Sequence, residues 1–285
     1  MLAIRPRTLP AAAAGVIMGS ALAWRDGFFR LDAALACLFT ALLLQIGSNL
    51  ANDVFDFERG TDTAERLGPV RVTQAGLLTP SQVKYGMLVV FALAAVLGLY
   101  LAWLGGWPII LIGIAAILSA IAYTGGPFPL GYYGLGDLFV FIFFGLASVA
   151  GTYYVQAGSV SAAAWWMAVP PGLIISAILV VNNLRDLEND RKAGKRTLAV
   201  ILGERATKTQ YLICMIAAYI VVPLAAWVGV IPWSAMLTWL SLPLAVRSTR
   251  PVFTQQGRPL NTALAGTGQT ALFFGILFWI GLAFR

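Results

Sequence analysis

The chain has no histidine, only two cysteines, and little charge: 11% of its 285 residues are Asp, Glu, Lys or Arg. Without histidine it has neither the commonest general base nor the usual nitrogen ligand for zinc or haem. Cys37 and Cys214 both stand in apolar runs and read as small packing residues, which imply neither a disulfide framework nor a metal site. Any metal must then be held by oxygen, a preference of magnesium and calcium.

What fills the place of charge is apolar: 59% of the residues are hydrophobic and the mean hydropathy is +0.81. Crossing a bilayer core takes roughly 17 to 25 largely apolar residues, and such runs recur along the whole chain. They predict spans near residues 9–24, 31–52, 83–103, 107–123, 138–156, 162–184, 207–227, 233–246 and 260–284, hence an all-α polytopic membrane protein. Residues 1–285 read as a single transmembrane domain with acidic loops at about 53–82 and 185–206. Pro170 and Pro171 inside the sixth span predict a kink.

Basic residues set the expected orientation. With a cytoplasmic amino terminus, 16 of the 19 Lys and Arg fall on the cytoplasmic side, leaving Arg25, Arg30 and Arg285 opposite. The positive-inside rule then puts the carboxyl terminus outside. The net charge of +7 is explained by this topology and calls for no nucleic-acid partner.

Two acidic clusters break the pattern of charge avoidance. "NDVFDFERGTD", Asn52 to Asp62, closes the second span, and "NNLRDLENDRKAGKRTLAV", Asn182 to Val200, closes the sixth. Both contain N-x-x-x-D-x-E (Asn52, Asp56, Glu58; Asn182, Asp186, Glu188), and each adds a further aspartate, Asp62 or Asp190, which suggests an internal duplication. Residues three or four apart share a helix face. Gln45, Asn49, Asn52 and Asp56 therefore form one polar stripe, and Asn183, Asp186 and Asp190 another, flanked by Asn182. Because lipid exposure of such groups is costly, both stripes must face the bundle interior or a water-filled cavity, and they are expected to face each other. Asp53 lies about 100° round the helix from Asn52 and reads equally as a helix-end residue.

Carboxylates brought together repel unless cations sit between them. Mg²⁺ suits such a place: it takes a few carboxylates, keeps several waters and shares its other positions with substrate phosphates. Arg71, Lys195 and Arg196 could neutralise the far side of a diphosphate, or serve only as topology determinants. Acidic residues in a helical bundle also build cation-coupled transporters, but those sites lie near the bilayer midplane. Here the acids gather at span ends beside basic loops, which suits a phosphorylated substrate.

The long runs around these clusters, with "RPRTLPA" at 5–11, "YTGGPFPLGYYGLGD" at 123–137 and "LNTALAGT" at 260–267, resemble the UbiA superfamily of intramembrane prenyltransferases. Many relatives space the first motif D-x-x-x-D and carry a lysine just after the tyrosine corresponding to Tyr123. This chain has D-x5-D from Asp56 to Asp62 and "TGGP" in place of that lysine, which resembles the branch acting on 1,4-dihydroxy-2-naphthoate rather than hydroxybenzoate or haem precursors. The resemblance implies about nine transmembrane helices around a central cavity, in the bacterial inner membrane, with the active site opening to the cytoplasm. It implies transfer of a polyprenyl group from its diphosphate to the naphthoate, with loss of carbon dioxide and with Mg²⁺ as cofactor. Donors from geranylgeranyl to nonaprenyl, and phytyl, all fit the sequence.

Carried onto this chain, the resemblance assigns Asn52, Asp56, Asp62, Asp186 and Asp190 to magnesium and its diphosphate, with Glu188 in support. Asn49, Arg71, Tyr123, Asn182, Asn183, Lys195 and Arg196 are the expected substrate contacts. Tyr123 reads equally as an interfacial tyrosine. The segment from Gly125 to Asp137 is too rich in glycine and proline to continue a helix, and is expected either to line the cavity near the acceptor or merely to join two spans.

Overall fold

The computed structural model describes residues 2–61 and 67–284, and among them it is helical with no strand. A short 3-10 turn, Pro6–Thr8, leads into α1 (Leu9–Arg25) and α2 (Leu31–Glu58). After a loop come α3 (Pro80–Gly105) and α4 (Trp107–Ala122). A second connection holds the 3-10 turn Leu130–Tyr132, followed by α5 (Gly136–Val140), a π-helix (Phe141–Ala147) and α6 (Ser148–Ala157). Then follow α7 (Ala162–Arg185), α8 (Leu187–Lys192), α9 (Leu198–Leu202) and α10 (Glu204–Trp227). A 3-10 helix (Trp233–Ser241), α11 (Leu242–Thr254) and α12 (Leu260–Ala283) complete the described chain.

Six stretches are long and apolar enough to cross a membrane: α2, α3, the α5-to-α6 unit, α7, α10 and α12; α4 is a shorter apolar helix. Every span expected from the sequence coincides with helix, but the boundaries differ where local chemistry intervenes. Nothing in "NDVFDFE" stops a helix, so α2 runs on to Glu58 and is ended by Gly60 at φ 68°. Asn52, Asp53 and Asp56 thus sit on a helix end and not in a loop. At the second motif, α7 stops at Arg185 and Asp186 occupies a one-residue break before α8. α7 itself runs through Pro170 and Pro171 as one helix of 24 residues.

Small residues build the centre. Ala14, Ala21, Ala164, Ala168, Ala177 and Ala218 are fully or almost fully buried where α1, α7 and α10 pack together with α6 and α12. Close backbone approach of this kind is how helices associate where lipid removes the hydrophobic drive. The π-helix holds one such place: a Cβ on Gly145 would stand 2.7 Å from the Ala168 carbonyl oxygen and 2.8 Å from Gly172 Cα. Large apolar side chains instead cover the outer faces of α3 and α4, where Trp103 and Trp107 are 78% and 69% exposed. Exposure of that kind is expected toward hydrocarbon.

Among the described residues the ion pairs gather at the ends. Arg25–Asp26 (2.7 Å) and Arg30–Asp32 (2.8 Å) close one end. Lys84–Glu58 (2.7 Å), Arg191–Glu188 (2.8 Å) and Lys208–Glu204 (2.7 Å) lie at the other, which also carries both acidic motifs. The close contact at Gly145 predicts that Gly145→Val destabilises the bundle by about 1–3 kcal/mol through overpacking. Thermal unfolding of the purified protein in detergent measures it, with Gly113→Val, in open space on α4, as the neutral reference.

Candidate active site

The ends of α2 and α7 bring the two acidic motifs together around a polar cavity of about 120 Å³. Asn52, Asp56, Arg71, Tyr123, Asn182, Asn183, Asp186, Asp190 and Lys195 all line it, together with Arg5, Thr61, Thr124, Tyr132 and Thr197. This cavity adjoins a much larger one of about 1140 Å³, lined mostly by apolar side chains from α1, α2, α4, the π-helix and α7. Arg5, Asn52, Tyr123 and Asn182 line both, and so mark their junction.

Asp56 is the hub of the polar cavity. Its carboxylate is 2% exposed as a residue and accepts from Arg71 Nη2 at 2.6 Å, from Lys195 Nζ at 3.0 Å and from the Tyr132 hydroxyl at 2.7 Å. Lys195 also stands 4.5 Å above the Tyr132 ring, a cation–π contact. Burial, reinforced by the Asp56 charge, pushes the Tyr132 phenol upward, so the hydroxyl stays protonated and donates. Arg71 donates in addition to the Asn52 carbonyl, while Thr124 Oγ1 donates to Asn52 Oδ1 at 3.0 Å.

On the second motif, Arg185 is the organiser. It is 3% exposed and gives its guanidinium to both oxygens of Asp186, to Asn182 Oδ1 (2.8 Å) and to Asn261 Oδ1 (2.7 Å). Asn261 in turn donates to the Leu67 carbonyl at 3.1 Å, tying the start of α12 to the loop after the first motif. Asp190, one turn beyond Asp186, is a carboxylate pushed up to about 7: burial is the main cause, Asp186 and Asp56 add to it, and Lys195 opposes it. This half of the cavity holds negative charge poorly unless a proton or another cation is present.

The structure divides the expected residues. Asp62 lies outside the described residues. Asp53, almost fully buried, accepts from the backbone N–H groups of Val72 and Thr73, each at 3.0 Å, and so anchors the turn that carries Arg71. The two motif glutamates face outward, Glu58 to Lys84 and Glu188 to Arg191. The Arg196 side chain is exposed and lines neither cavity, and its backbone N–H donates to the Tyr132 carbonyl at 2.9 Å. Asn49 lines the large cavity, but its amide donates to the Ile4 carbonyl and Thr8 Oγ1, both at 3.0 Å. Sequence reasoning singled out none of Tyr132, Thr124, Arg185 and Asn261, although each lies in one of the quoted motifs; the segment from Gly125 to Asp137, one of whose expected places was the cavity wall, brings Gly131 and Tyr132 to the polar cavity.

Among the described residues no three acidic side chains, alone or with cysteine, cluster closely enough to form a metal site by themselves. The donor set still fits a magnesium ion shared with phosphate: the carboxylates of Asp56, Asp186 and Asp190 and the amide oxygens of Asn52, Asn182 and Asn183 line one small cavity, and Mg²⁺ needs only one or two of them. The Asp190 carboxyl, pushed up by burial, is the group that such an ion would stabilise in its charged form.

A family model described as the UbiA prenyltransferase family matches residues 12–259. A relative from Haemophilus influenzae named 1,4-dihydroxy-2-naphthoate octaprenyltransferase is 40% identical over 98% of this chain and 93% of its own length. A relative of the same name from Mycobacterium tuberculosis is 41% identical over 98% and 95%. The fold also superposes on a UbiA homolog from Archaeoglobus fulgidus bound to DMAPP and Mg²⁺, with a TM-score of 0.62 at 13% identity and coverage of 98% of this chain and 99% of that one.

The electrostatics of Asp190 have a testable consequence. A carboxyl group raised from 3.8 in the unfolded chain to about 7 favours the fold fully below pH 4, and that contribution is lost as pH rises through 7. Asp190→Asn should therefore raise the melting temperature of the metal-free protein at pH 8, and the gain should shrink as pH falls through 7, approaching zero only near pH 4. Thermal unfolding in detergent with a chelator present measures both.

Proposed function

The chain belongs to the UbiA prenyltransferase family, and on that premise we propose that it transfers a polyprenyl group from its diphosphate to 1,4-dihydroxy-2-naphthoate, with loss of carbon dioxide, giving demethylmenaquinone in its reduced, hydroquinone form for menaquinone synthesis. One observation carries the reading: a small polar cavity shared by both acidic motifs opens directly onto an apolar chamber of about 1140 Å³. A substrate with a diphosphate head and a long hydrocarbon tail matches that division, with its C1–O bond at the junction.

Asp56, Asp62, Asp186 and Asp190, with Asn52, would hold Mg²⁺ and through it the diphosphate. Bound there, the ion neutralises charge on the departing diphosphate. Arg71 and Lys195, already fixed at the cavity wall by Asp56, are placed to take up the same charge from the other side, and Tyr132 adds a hydroxyl donor. Asn182 is oriented by Arg185 and Asn52 by Thr124, so both amides enter the site with fixed direction. The apolar chamber excludes water from the allylic centre, which favours attack by the electron-rich naphthalene ring over hydrolysis. The ring itself is the nucleophile, and decarboxylation restores its aromaticity. No strong general base is required, in keeping with a chain that lacks histidine.

The chain is an integral membrane protein. Its orientation, with the polar cavity toward the cytoplasm, is supported by the cationic excess at that end. Membranes containing the protein, given a polyprenyl diphosphate and the naphthoate, should release pyrophosphate only when a divalent ion is present. Asp56→Ala and Asp190→Ala should each lower turnover by at least about 100-fold. Turnover near the wild-type rate in either variant would show that these carboxylates do not hold the leaving group.

A further inference from the structure

The proposed donor has a tail as well as a head, and the depth of the apolar chamber limits how much tail enters. On α2 the chamber is lined at every turn from Asn52, at the junction, to Cys37; on α4 it is lined from Tyr123 to Ile109. At the α-helical rise of about 1.5 Å per residue, these two walls give depths of about 22 and about 21 Å. An extended prenyl chain advances about 4–5 Å per isoprene unit, four chain bonds of about 1.5 Å in zigzag. The straight depth therefore holds about four to five units.

Five apolar side chains close the far end. Val16, Cys37, Leu101, Ile109 and Val155, one each from α1, α2, α3, α4 and α6, line the chamber and pack into one buried cluster. One turn nearer the junction, on the same helix face, each has a small neighbour that also lines the chamber: Ala12, Ala41, Gly98, Gly113 and Gly151. Packing does not call for these three glycines. Gly19 and Gly145 let helices touch, since a Cβ there would stand 2.5 and 2.7 Å from a facing carbonyl oxygen. A Cβ on Gly98, Gly113 or Gly151 would meet no neighbouring helix within 4 Å. Glycine weakens a helix interior, and what it leaves here is open width just inside the floor.

Resting on the proposed prenyl diphosphate donor, we propose that this end of the chamber selects tail length. The five-residue floor is the stop, and Gly98, Gly113 and Gly151 are the specificity-determining positions that give a tail of about four to five units its last turn of depth. A longer tail must fold back from the floor.

Magnesium-dependent binding of prenyl diphosphates to the purified protein in lipid nanodiscs, with no acceptor present, reads tail length apart from turnover. Gly113 stands about 15 Å from Tyr123 along α4, the depth of about three units. Gly113→Leu and Gly151→Leu should each weaken geranylgeranyl diphosphate at least about tenfold relative to geranyl diphosphate, whose shorter tail stops before the added side chain. Ala115→Leu, on the exposed face of α4, should leave that ratio within about twofold. In the wild type, a geranylgeranyl diphosphate with a terminal diazirine should photolabel the peptides that hold Leu101, Ile109 or Val155. An unchanged ratio in either glycine variant, or label that misses all three peptides, overturns the assignment. Wild-type protein that binds neither diphosphate overturns the proposed donor and this inference together.

Discussion

The polar end of the bundle depends on one buried negative charge. Asp56 sits on the last turn of α2 at 2% exposure, and a carboxylate so placed is tolerable only when paired and hydrogen-bonded. Its partners come from three separate places in the chain: Arg71 after the first motif, Tyr132 in the connection between α4 and α5, and Lys195 after the second motif. One ionic contact thereby joins segments up to 139 residues apart and closes the cavity around itself. Asp53 holds the Val72 and Thr73 amides and so fixes the turn just beyond Arg71. The opposing motif is built on a second buried ionic contact, Arg185 with Asp186, with the same logic of a cation fixed before any substrate arrives.

The consequence is a boundary between two solvents within one molecule. On one side of Arg5, Asn52, Tyr123 and Asn182 lies a space for charge; on the other lies a chamber nearly ten times larger for hydrocarbon. In the proposed reaction the bond to be broken sits on that boundary, because its two ends belong to different media. A site at the bundle's end meets this need better than one at the bilayer midplane: the diphosphate stays near water while the tail remains in a lipid-like interior. The π-helix on the chamber wall belongs to the same economy of space, since Gly145 and Gly172 let that wall press against α7.

How much of this could be read from residues alone follows from the range of the forces involved. Spans were legible because hydrophobic runs are local, and the pairing of motifs was legible because a 3.6-residue period puts Asn52 with Asp56 and Asn183 with Asp186 on facing stripes. Contacts that cross the chain were not. Nothing near Tyr132 announces that its hydroxyl reaches Asp56, and nothing near Asn261 announces Arg185. Asn49 lines the large cavity, as its place on the stripe suggests, but that its amide bonds run to Ile4 and Thr8 was not legible, because the left-handed conformation at Arg5 has no signature in an Arg-Pro pair. Arg196 and Lys195 are equivalent in sequence, but a single step along a turning loop sends one outward and the other to Asp56. Both motif glutamates repeat faithfully and still face solvent, so repetition marked the helix end as well as the chemistry.

Whether both motifs grip the same divalent ion and diphosphate is decided by counting bound ions. With Mn²⁺ replacing magnesium and an unreactive thio-linked analogue of the donor bound, electron paramagnetic resonance reports tightly held metal per protein. Asp56→Asn and Asp190→Asn should each abolish nearly all of it, since either loss breaks a shared site. Retention of about half the metal in each variant would mean two independent sites, and full retention in either would remove that residue from the grip; both results contradict the account.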